Sequence, residues 1–229
     1  MNNGKLYVVA TPIGNLSDIT LRALEILKIA GAVACEDTRH THKLLAHYQL
    51  RPKEIFSLHK FNEKARTQKV LSLLGNGINV ALVSDAGTPA LNDPGHVLIK
   101  EVAVAGFVVE PIPGPSALVT ALCASGFPTD SFLFDGFLPR KGGQRRRRFA
   151  ELQQEKRTLV FFESPHRVEK SLEDALAVLG NRRAVLAREL TKLYEEFLRG
   201  GLAEILEKLQ TGSKSRGEMV LIVEGCPKG

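Results

Sequence analysis

The sequence predicts an α/β protein of two domains, with a parallel sheet in residues 1–113 and a mixed sheet in residues 114–229. Short apolar segments alternate with amphipathic segments through the first half, which is typical of a parallel, doubly wound sheet. The second half has longer, alternating strands that contain more aromatic residues. Two Gly- and Pro-rich loops near the middle of the chain each follow a β-branched apolar stretch and lead into a helical pattern. The chain is long enough for two domains of about 100 residues each.

The first half opens with the mostly apolar strand 5–10 and the amphipathic helix 19–30. The next strand, 32–35, is short and wholly apolar, and helix 40–48 follows a polar turn. The alternation then repeats with strand 55–58, helix 63–74 ended by Gly75 and Gly77, and strands 78–83 and 107–112 on either side of another helix.

Both Gly- and Pro-rich loops carry signals for the start of a helix. The first, 83–95, reads VSDAGTPALNDPG, and the second, 111–122, reads PIPGPSALVTAL. Asp93-Pro94 and Gly114-Pro115 each place a capping residue before a proline, which is favoured at the first helical position. One glycine is expected to end each of the two helices, namely Gly106 and Gly126.

The same two loops predict a ligand cleft. Ligands of open α/β sheets bind outside the carboxyl ends of the strands, where backbone N–H groups and helix N-termini are available. Either loop alone could be an ordinary turn between a strand and a helix. Together they favour a small-molecule site, because both are polar as well as glycine-rich, through Ser84, Asp85, Thr88 and Ser116.

The second half predicts a mixed α/β domain. Its helices are 165–179, with Ser164 as the N-cap, and 202–209. The predicted strands are 132–137, 158–163, 184–189, 194–199 and 219–224.

Composition and missing motifs exclude several classes of protein. No apolar run approaches 18 residues and no signal-type segment opens the chain, so a cytoplasmic protein is expected. Cys35, Cys123 and Cys226 are far apart, which indicates neither a disulfide framework nor a zinc site. Neither a dinucleotide fingerprint nor a nucleotide-hydrolase phosphate loop occurs. His40 and His42 are two residues apart and are interpreted as surface histidines of a helix, so no metal site is expected.

The excess positive charge is confined to residues 140–148, which read RKGGQRRRR. This segment holds six of the 31 basic residues, and the remaining 25 balance the 25 acidic residues. A solvated loop is the usual interpretation of such a run, but its self-repulsion favours contact with a polyanion. We expect this cationic loop to bind nucleic-acid phosphates, with an affinity that falls steeply with salt, through Arg140, Lys141, Arg145, Arg146, Arg147 and Arg148.

Polar residues also crowd the ends of two predicted strands. Glu36, Asp37, Thr38 and Arg39 follow strand 32–35 and would face the predicted cleft. They either orient a substrate and exchange protons with it, or they are structural, with Asp37 capping the next helix and Arg39 pairing with Glu36. In a second cluster, 163–167, His166 and Arg167 would occupy the first turn of a helix, where an anionic ligand is favourable.

Six motifs in order carry a resemblance that spans nearly the whole chain: ATPIGNLSDIT, CEDTRHT, VSDAGTPALNDPG, PIPGPSAL, FFESPHR and LARELTK. They resemble the ribosomal RNA small subunit methyltransferase I family. That family is part of the tetrapyrrole-methylase-like, class III group of S-adenosylmethionine-dependent methyltransferases. The resemblance implies two α/β domains with the cofactor in a cleft between them.

The resemblance further implies 2′-O-methylation of a cytidine in the decoding region of small-subunit ribosomal RNA. The small ribosomal subunit or its RNA is the implied partner, and a homodimer is expected because the group commonly forms dimers. Matched by position, the residues that bind S-adenosylmethionine are Pro12, Asp85, Ala86, Gly87, Thr88, Pro89, Ala90, Leu91, Ser116, Ala117 and Phe162.

The chemistry of such a transfer favours a positioned base. The leaving group at a sulfonium carbon is neutral, so alignment and desolvation matter more than an acid. A ribose hydroxyl is barely ionised at neutral pH, and a base could contribute about 10² to 10⁴ in rate. Glu36 and Asp37 are the first candidates. Lys60 and Arg39 are alternatives that would lower the hydroxyl pKa or clamp a phosphate.

Two other functions compete with this interpretation. The first is a methylase of a tetrapyrrole-like acidic metabolite, which would not need so many clustered arginines. The second is a non-catalytic RNA-binding or ribosome-assembly factor. It would not need two polar loops at one pocket, and the chain has few aromatic residues for stacking on bases. Acceptor preference distinguishes the first, and cofactor affinity the second.

Overall fold

The computed structural model describes residues 3–212 and 217–227, and the chain divides after Ser116 into two compact units. Each unit contains its own five-stranded sheet. Residues 114–116 fall in the first unit, whereas the sequence pattern assigned them to the second. The predicted domain boundary itself stays a prediction.

The first unit is a parallel, doubly wound sheet, as predicted. Its strands are ordered β3-β2-β4-β1-β5, and every neighbouring pair is parallel. The strands are β1 Leu6–Val9, β2 Ala32–Cys35, β3 Glu54–Ser57, β4 Val80–Val83 and β5 Val109–Ile112. The helices are α1 Leu21–Ile29, α2 Thr38–His47, α3 Glu63–Gly75 and α4 His96–Val104, and a 3₁₀ turn occupies Leu16–Asp18.

The strands of this sheet are short and apolar because both of its faces are covered. Along β4, Val80 and Leu82 point into one apolar cluster, and Ala81 and Val83 into the other. The first cluster includes residues of α3 and α4, and the second includes residues of α1 and α2. Buried on both faces, the sheet has its polar loops at the ends of the strands, where the predicted site residues lie.

Helix α4 begins later than its local sequence predicts. The expected cap Asp93-Pro94 is wrong, because the helix starts at His96, after Gly95. Gly95 has no side chain to cap the helix, and Glu63 of α3 does so instead. One carboxylate oxygen of Glu63, Oε1, accepts from the N–H groups of Gly95 at 3.0 Å, Val97 at 3.0 Å and Leu98 at 3.2 Å. A buried side chain from a neighbouring helix therefore sets the start of α4.

We expect Glu63→Ala to destabilise the first unit by about 1–3 kcal/mol, since two buried N–H groups and one half-buried N–H group lose a charged acceptor. Glu63→Gln retains an acceptor oxygen and should cost less. Hydrogen exchange of the first-turn amides of α4 would locate the effect. Lys64→Ala, at an exposed neighbouring position, is the control. Equal amide protection in Glu63→Ala and the wild type would contradict this account of the cap.

The second unit has a mixed sheet, also as predicted. Its order is β6-β7-β10-β8-β9, in which β6 and β7 are parallel and the other neighbours antiparallel. The strands are β6 Phe132–Phe137, β7 Thr158–Glu163, β8 Arg183–Arg188, β9 Glu196–Gly201 and β10 Met219–Val223. The helices are α5 Ala117–Cys123, α6 Gly142–Glu151, α7 Val168–Leu179 and α8 Leu202–Thr211. In the described parts of the chain, no helix is both long and apolar enough to cross a membrane.

Three further predictions about helices are wrong. Helix α5 begins at Ala117, two residues after the expected Pro115. Helix α7 begins at Val168 and follows a turn, so Ser164 is not its N-cap. Residues 140–148 were expected to form a loop, yet most of them lie in α6, whose Phe149 is fully buried in the core of this unit.

Candidate active site

The predicted site residues of the first unit meet at one edge of its sheet. Strands β2, β4 and β1 are neighbours and run parallel, so their carboxyl ends lie side by side. Glu36 and Asp37 follow β2, Asp85 follows β4, and Pro12 follows β1. The sheet thus brings together residues that are more than 70 positions apart in the chain.

The loop after β4 is fastened to the end of β1. The N–H of Gly87 donates to the carbonyl of Thr11 at 3.0 Å, and the N–H of Thr11 donates back at 2.9 Å. The hydroxyl of Ser84 also donates to the carbonyl of Gly87 at 3.0 Å. Further along, the hydroxyl of Thr88 donates to the carbonyl of Pro115 at 3.3 Å, so both predicted ligand loops are connected.

Gly87 has a conformation that disfavours any side chain. Its φ is 85°, and an added Cβ would lie 3.3 Å from Cγ2 of Ile13. We expect Gly87→Ala to cost about 1–2 kcal/mol of stability and to weaken binding at this loop. Gly106→Ala is a matched control, since φ is 80° there and no atom lies within 4 Å of the added Cβ. Thermal unfolding should show a loss for both variants, whereas cofactor titration should show a loss for Gly87→Ala only.

Asp85 links the ends of β4 and β2. Its Oδ1 accepts from the backbone N–H of Asp37 at 3.0 Å. Later in the same loop, Ala90 has a left-handed backbone with φ of 65°, which is costly for a residue other than glycine. In the described parts of the chain, the backbone N–H groups of Ala86 and Ala90 form no hydrogen bond. This loop therefore offers unused donors at the sheet edge.

The carboxylate of Asp37 has a structural role. It caps α2 by accepting from the N–H of Arg39 at 2.8 Å, so the predicted capping role is confirmed. The same carboxylate forms an ion pair with the guanidinium of Arg39, with N–O distances of 2.5 to 3.1 Å. The expected pair between Arg39 and Glu36 is wrong. These contacts with Arg39 hold the pKa of Asp37 well below its usual range.

Glu36 differs from Asp37 in its contacts and in the direction of its pKa shift. Its side chain is exposed at the mouth of the site, and none of the described residues hydrogen bonds to its carboxylate. Partial burial raises the pKa of Glu36, and the negative charges of Asp85 and Asp37 raise it further, while His59 opposes them. A carboxylate without partners and with a raised pKa is the better proton acceptor of the two.

Two cavities open at this edge of the first unit. The Pro12 cavity, of about 220 Å³, is lined among others by Thr11, Pro12, Ser84 and Asp85, together with Thr41 of α2. The Phe61 cleft, of about 540 Å³, has Glu36, His59, Lys60 and Phe61 on its walls, together with Asn92 and His96. His40 and His42 are both exposed on α2, as predicted for surface histidines.

In the cluster 163–167, the side chains of Glu163 and Arg167 bond to other groups of the second unit. Glu163 is buried and accepts from the Ser171 hydroxyl. Arg167 donates to the carbonyl of Leu138, and its Nε lies 3.4 Å from Oε1 of Glu163. Arg167 precedes α7 and does not occupy its first turn. The anion beside Arg167 is therefore Glu163 of the same chain, and an anionic ligand at this cluster stays a prediction.

The basic residues of the segment 140–148 fall into two groups. Arg145 is only 4% exposed, and its guanidinium lies 2.5 Å from the carboxylate of Asp174. Arg148 pairs with Asp135 at 2.5 Å and with Glu151 at 2.8 Å. Acidic residues of the same unit thus neutralise much of the charge that the sequence places in this segment. The second group is exposed and consists of Arg140, Lys141, Arg146 and Arg147.

Comparison with known proteins assigns the chain to a family. The family model described as Tetrapyrrole (Corrin/Porphyrin) Methylases matches residues 5–206. The chain belongs to the tetrapyrrole methylase family. A solved structure with the same fold is that of uroporphyrin-III C-methyl transferase from Thermus thermophilus, complexed with S-adenyl homocysteine. That structure aligns with a TM-score of 0.63 and 19% identity over 96% of this chain and 97% of its own.

Among tetrapyrrole methylases, this chain is similar to proteins named Ribosomal RNA small subunit methyltransferase I. The relative from Vibrio cholerae is 50% identical over 96% of this chain and 77% of its own length. The relative from Thermotoga maritima is 46% identical over 97% of this chain and 99% of its own length. These values confirm the resemblance that the six motifs indicated.

Some residues of this candidate site were not predicted from sequence. Phe61 is 94% exposed although it is a large apolar side chain, and it stands on a wall of the Phe61 cleft. Glu63 and Gly95 also line this cleft and are hydrogen bonded to each other. An isolated phenylalanine in the polar run after β3 was the available signal for Phe61. No local signal points to Glu63, because its partners are about 30 residues away.

Proposed function

We propose that this protein transfers a methyl group from S-adenosylmethionine to the ribose 2′-oxygen of a cytidine in the decoding region of small-subunit ribosomal RNA. The observation that carries the proposal is the near full-length likeness, at 46% identity, to a ribosomal RNA methyltransferase of almost the same length. Such a substrate places the protein in the cytoplasm. The proposal includes a homodimer, for which light scattering at micromolar concentration is the test.

The cofactor is proposed to lie against the loops after β1, β4 and β5. The unpaired N–H groups of Ala86 and Ala90 suit a carboxylate, and both residues are half-buried, unlike Gly87 between them, which is buried. Pro12 closes one end of this surface, on the wall of the Pro12 cavity. The full proposed set is Pro12, Asp85, Ala86, Gly87, Thr88, Pro89, Ala90, Leu91, Ser116, Ala117 and Phe162.

Glu36 is proposed as the general base. When bound, the cofactor supplies an electrophilic methyl group on a sulfonium that leaves as a neutral thioether. The 2′-oxygen forms the new bond to carbon as its proton passes to the Glu36 carboxylate and then to water. Asp37 and Arg39 hold the start of α2 in place and do not take the proton, because each is the other's partner. Lys60, in the same cleft as Glu36, is proposed to contact a phosphate.

The RNA contact is proposed for the exposed basic residues, Arg140, Lys141, Arg146 and Arg147. Arg145 and Arg148 are proposed to stabilise the unit that presents them, since their paired guanidinium groups are buried or half-buried, whereas those of Arg146 and Arg147 are mostly exposed. We expect Arg147→Ser to weaken RNA binding and to reduce the slope of log affinity against log salt by about 1. Nitrocellulose filter binding at several salt concentrations measures both. Val119→Ala, an exposed apolar position of the same unit, should change neither.

The decisive experiment for the function uses small ribosomal subunits that lack the modification. The enzyme is incubated with them and with S-adenosylmethionine that carries a labelled methyl group, and the RNA is then hydrolysed in alkali. An alkali-resistant, labelled dinucleotide that contains cytidine is the expected product, because a 2′-O-methyl group blocks cleavage of the adjacent linkage. Cofactor binding without incorporation would favour the metabolite methylase. Absence of cofactor binding would favour the assembly factor.

A further inference from the structure

The Phe61 cleft contains an aromatic side chain that the fold does not use. Phe61 is 94% exposed, and its one aromatic neighbour among the described residues is His59, with ring centroids 6.2 Å apart. It belongs to none of the apolar clusters of the unit. Exposure of a whole phenylalanine forfeits the free energy of burial. The position of this ring on the wall of a cleft makes its face available to a ligand.

The turn that carries Phe61 is held in place. The Asn62 side chain accepts from the N–H of His59 at 2.8 Å through Oδ1. Its Nδ2 donates to the carbonyl of Ser57, the last residue of β3, at 3.2 Å. The next residue, Glu63, is buried and bonded to the start of α4. Phe61 and Lys60 therefore project from a turn that is anchored on both sides, and little ordering is needed when a ligand binds.

The size and composition of the cleft suit a nucleotide. Its volume of about 540 Å³ lies within the range of small-molecule sites. Lys60 offers a cation for a phosphate, and Phe61 offers a π-face for a base. Unstacked bases of RNA are typically bound by stacking on aromatic side chains, whose contribution does not depend on base identity.

Glu36 stands on the wall of the same cleft, and this makes an acceptor nucleotide the best occupant. We infer that the Phe61 cleft receives the nucleotide to be methylated, with its base stacked on Phe61, its phosphate near Lys60 and its 2′-hydroxyl toward Glu36. This inference rests on the proposed function and deepens it. A target within a structured RNA would have to leave its stack to enter the cleft, and Phe61 would replace the lost stacking.

The test compares Phe61→Ala, Phe61→Leu and Phe61→Tyr with the wild type in methyl transfer to small ribosomal subunits. We expect Phe61→Ala to lower kcat/KM for the RNA about tenfold to a hundredfold. Phe61→Tyr should stay within about threefold of the wild type because it keeps the ring, and Phe61→Leu should resemble Phe61→Ala. Cofactor affinity and the thermal midpoint should not change, since the ring packs in no core cluster.

Val104→Ala is the matched control, because Val104 is 75% exposed and ends α4 at the opposite edge of the sheet. An active wild type with Phe61→Ala at wild-type kcat/KM would overturn the inference and leave the proposed function intact. Full activity of Phe61→Leu would overturn the stacking role, and loss of cofactor affinity in Phe61→Ala would place Phe61 in the cofactor site instead. An inactive wild type would refute the proposed function itself.

Discussion

Replacement of Glu36 by Gln should lower the rate of methyl transfer about 10²-fold to 10⁴-fold, the contribution expected of a positioned base. The amide has nearly the same shape but cannot accept the proton of the 2′-hydroxyl. Single-turnover transfer at saturating RNA measures the effect on chemistry. Cofactor affinity, measured by calorimetry, should stay at the wild-type value.

Asp37→Asn is the matched control for Glu36→Gln, because it makes the same chemical change one residue away. An asparagine still caps the start of α2, and the pair with Arg39 is lost. We expect transfer within about threefold of the wild type. A larger loss in Asp37→Asn than in Glu36→Gln would reverse the assignment of the base.

The raised pKa of Glu36 predicts the direction of two effects, one on the pH–rate profile and one on stability. First, the acid limb of the pH–rate profile should have its midpoint above the usual glutamate pKa of about 4.3, because only the ionised form accepts a proton. Second, a carboxyl whose pKa is higher in the folded than in the unfolded state stabilises the fold less when ionised. Above the folded-state pKa, Glu36→Gln should therefore be more stable than the wild type. A lower thermal midpoint for Glu36→Gln at pH 7 would contradict the raised pKa.

Replacement of Arg145 by Ala should destabilise the second unit by about 3–5 kcal/mol, since the carboxylate of Asp174 would lose its buried partner. Asp174 is only 8% exposed. Its other partner, Arg146, has a side chain that is 55% exposed and solvated, so it compensates little. Urea denaturation followed by far-ultraviolet circular dichroism measures the loss, which suits a chain without tryptophan.

Arg147→Ala is the control for Arg145→Ala. Its side chain is 85% exposed and lies 3.5 Å from Glu151, so we expect a change within about 0.5 kcal/mol. The double variant Arg145→Met with Asp174→Leu should recover much of the lost stability, because it removes both buried charges together. Unchanged stability of Arg145→Ala, together with weaker RNA binding, would return Arg145 to the RNA contact.

The sheet strands were predictable because burial on both faces leaves a continuous apolar run, as in β2 and β4. The start of α4 was not predictable from the local sequence. Asp93-Pro94 is a sound local signal, but a carboxylate from α3 provides the acceptor and shifts the helix to His96. Tertiary contacts of this kind lie beyond any pattern read within a window of a few residues.

The prediction that residues 140–148 form a loop was wrong for a related reason. Residues 140–148 carry no apolar periodicity, which favours a loop, but the stem of Arg145 supplies part of the buried face of α6. The neutralising carboxylates, Asp135 and Asp174, belong to β6 and α7. Only the fold brings them to the arginines, so charge counted along the sequence overstates the charge available to a partner.

In the candidate site, the sequence placed the right loops together but could not choose between Glu36 and Asp37. Adjacent carboxylates have the same intrinsic chemistry. What separates them is the use of Asp37 by Arg39 and by the N-terminus of α2, which depends on where that helix begins. The predicted parallel sheet was sufficient to place the carboxyl ends of β1, β2 and β4 at one edge, and the strand order and the side-chain contacts required the structure.

The cap formed by Glu63 limits which sequence changes the preceding turn can accept during evolution. Between the end of β3 and Glu63 lie five residues, 58–62, and both ends of this turn are bonded to other elements. Insertion or deletion of a single residue within 58–62 would change the spacing at which Asn62 bonds to the end of β3 while Glu63 bonds to the start of α4. The turn that presents Phe61 can therefore exchange side chains but not change length. Diversification of the Phe61 cleft would have to proceed by substitution.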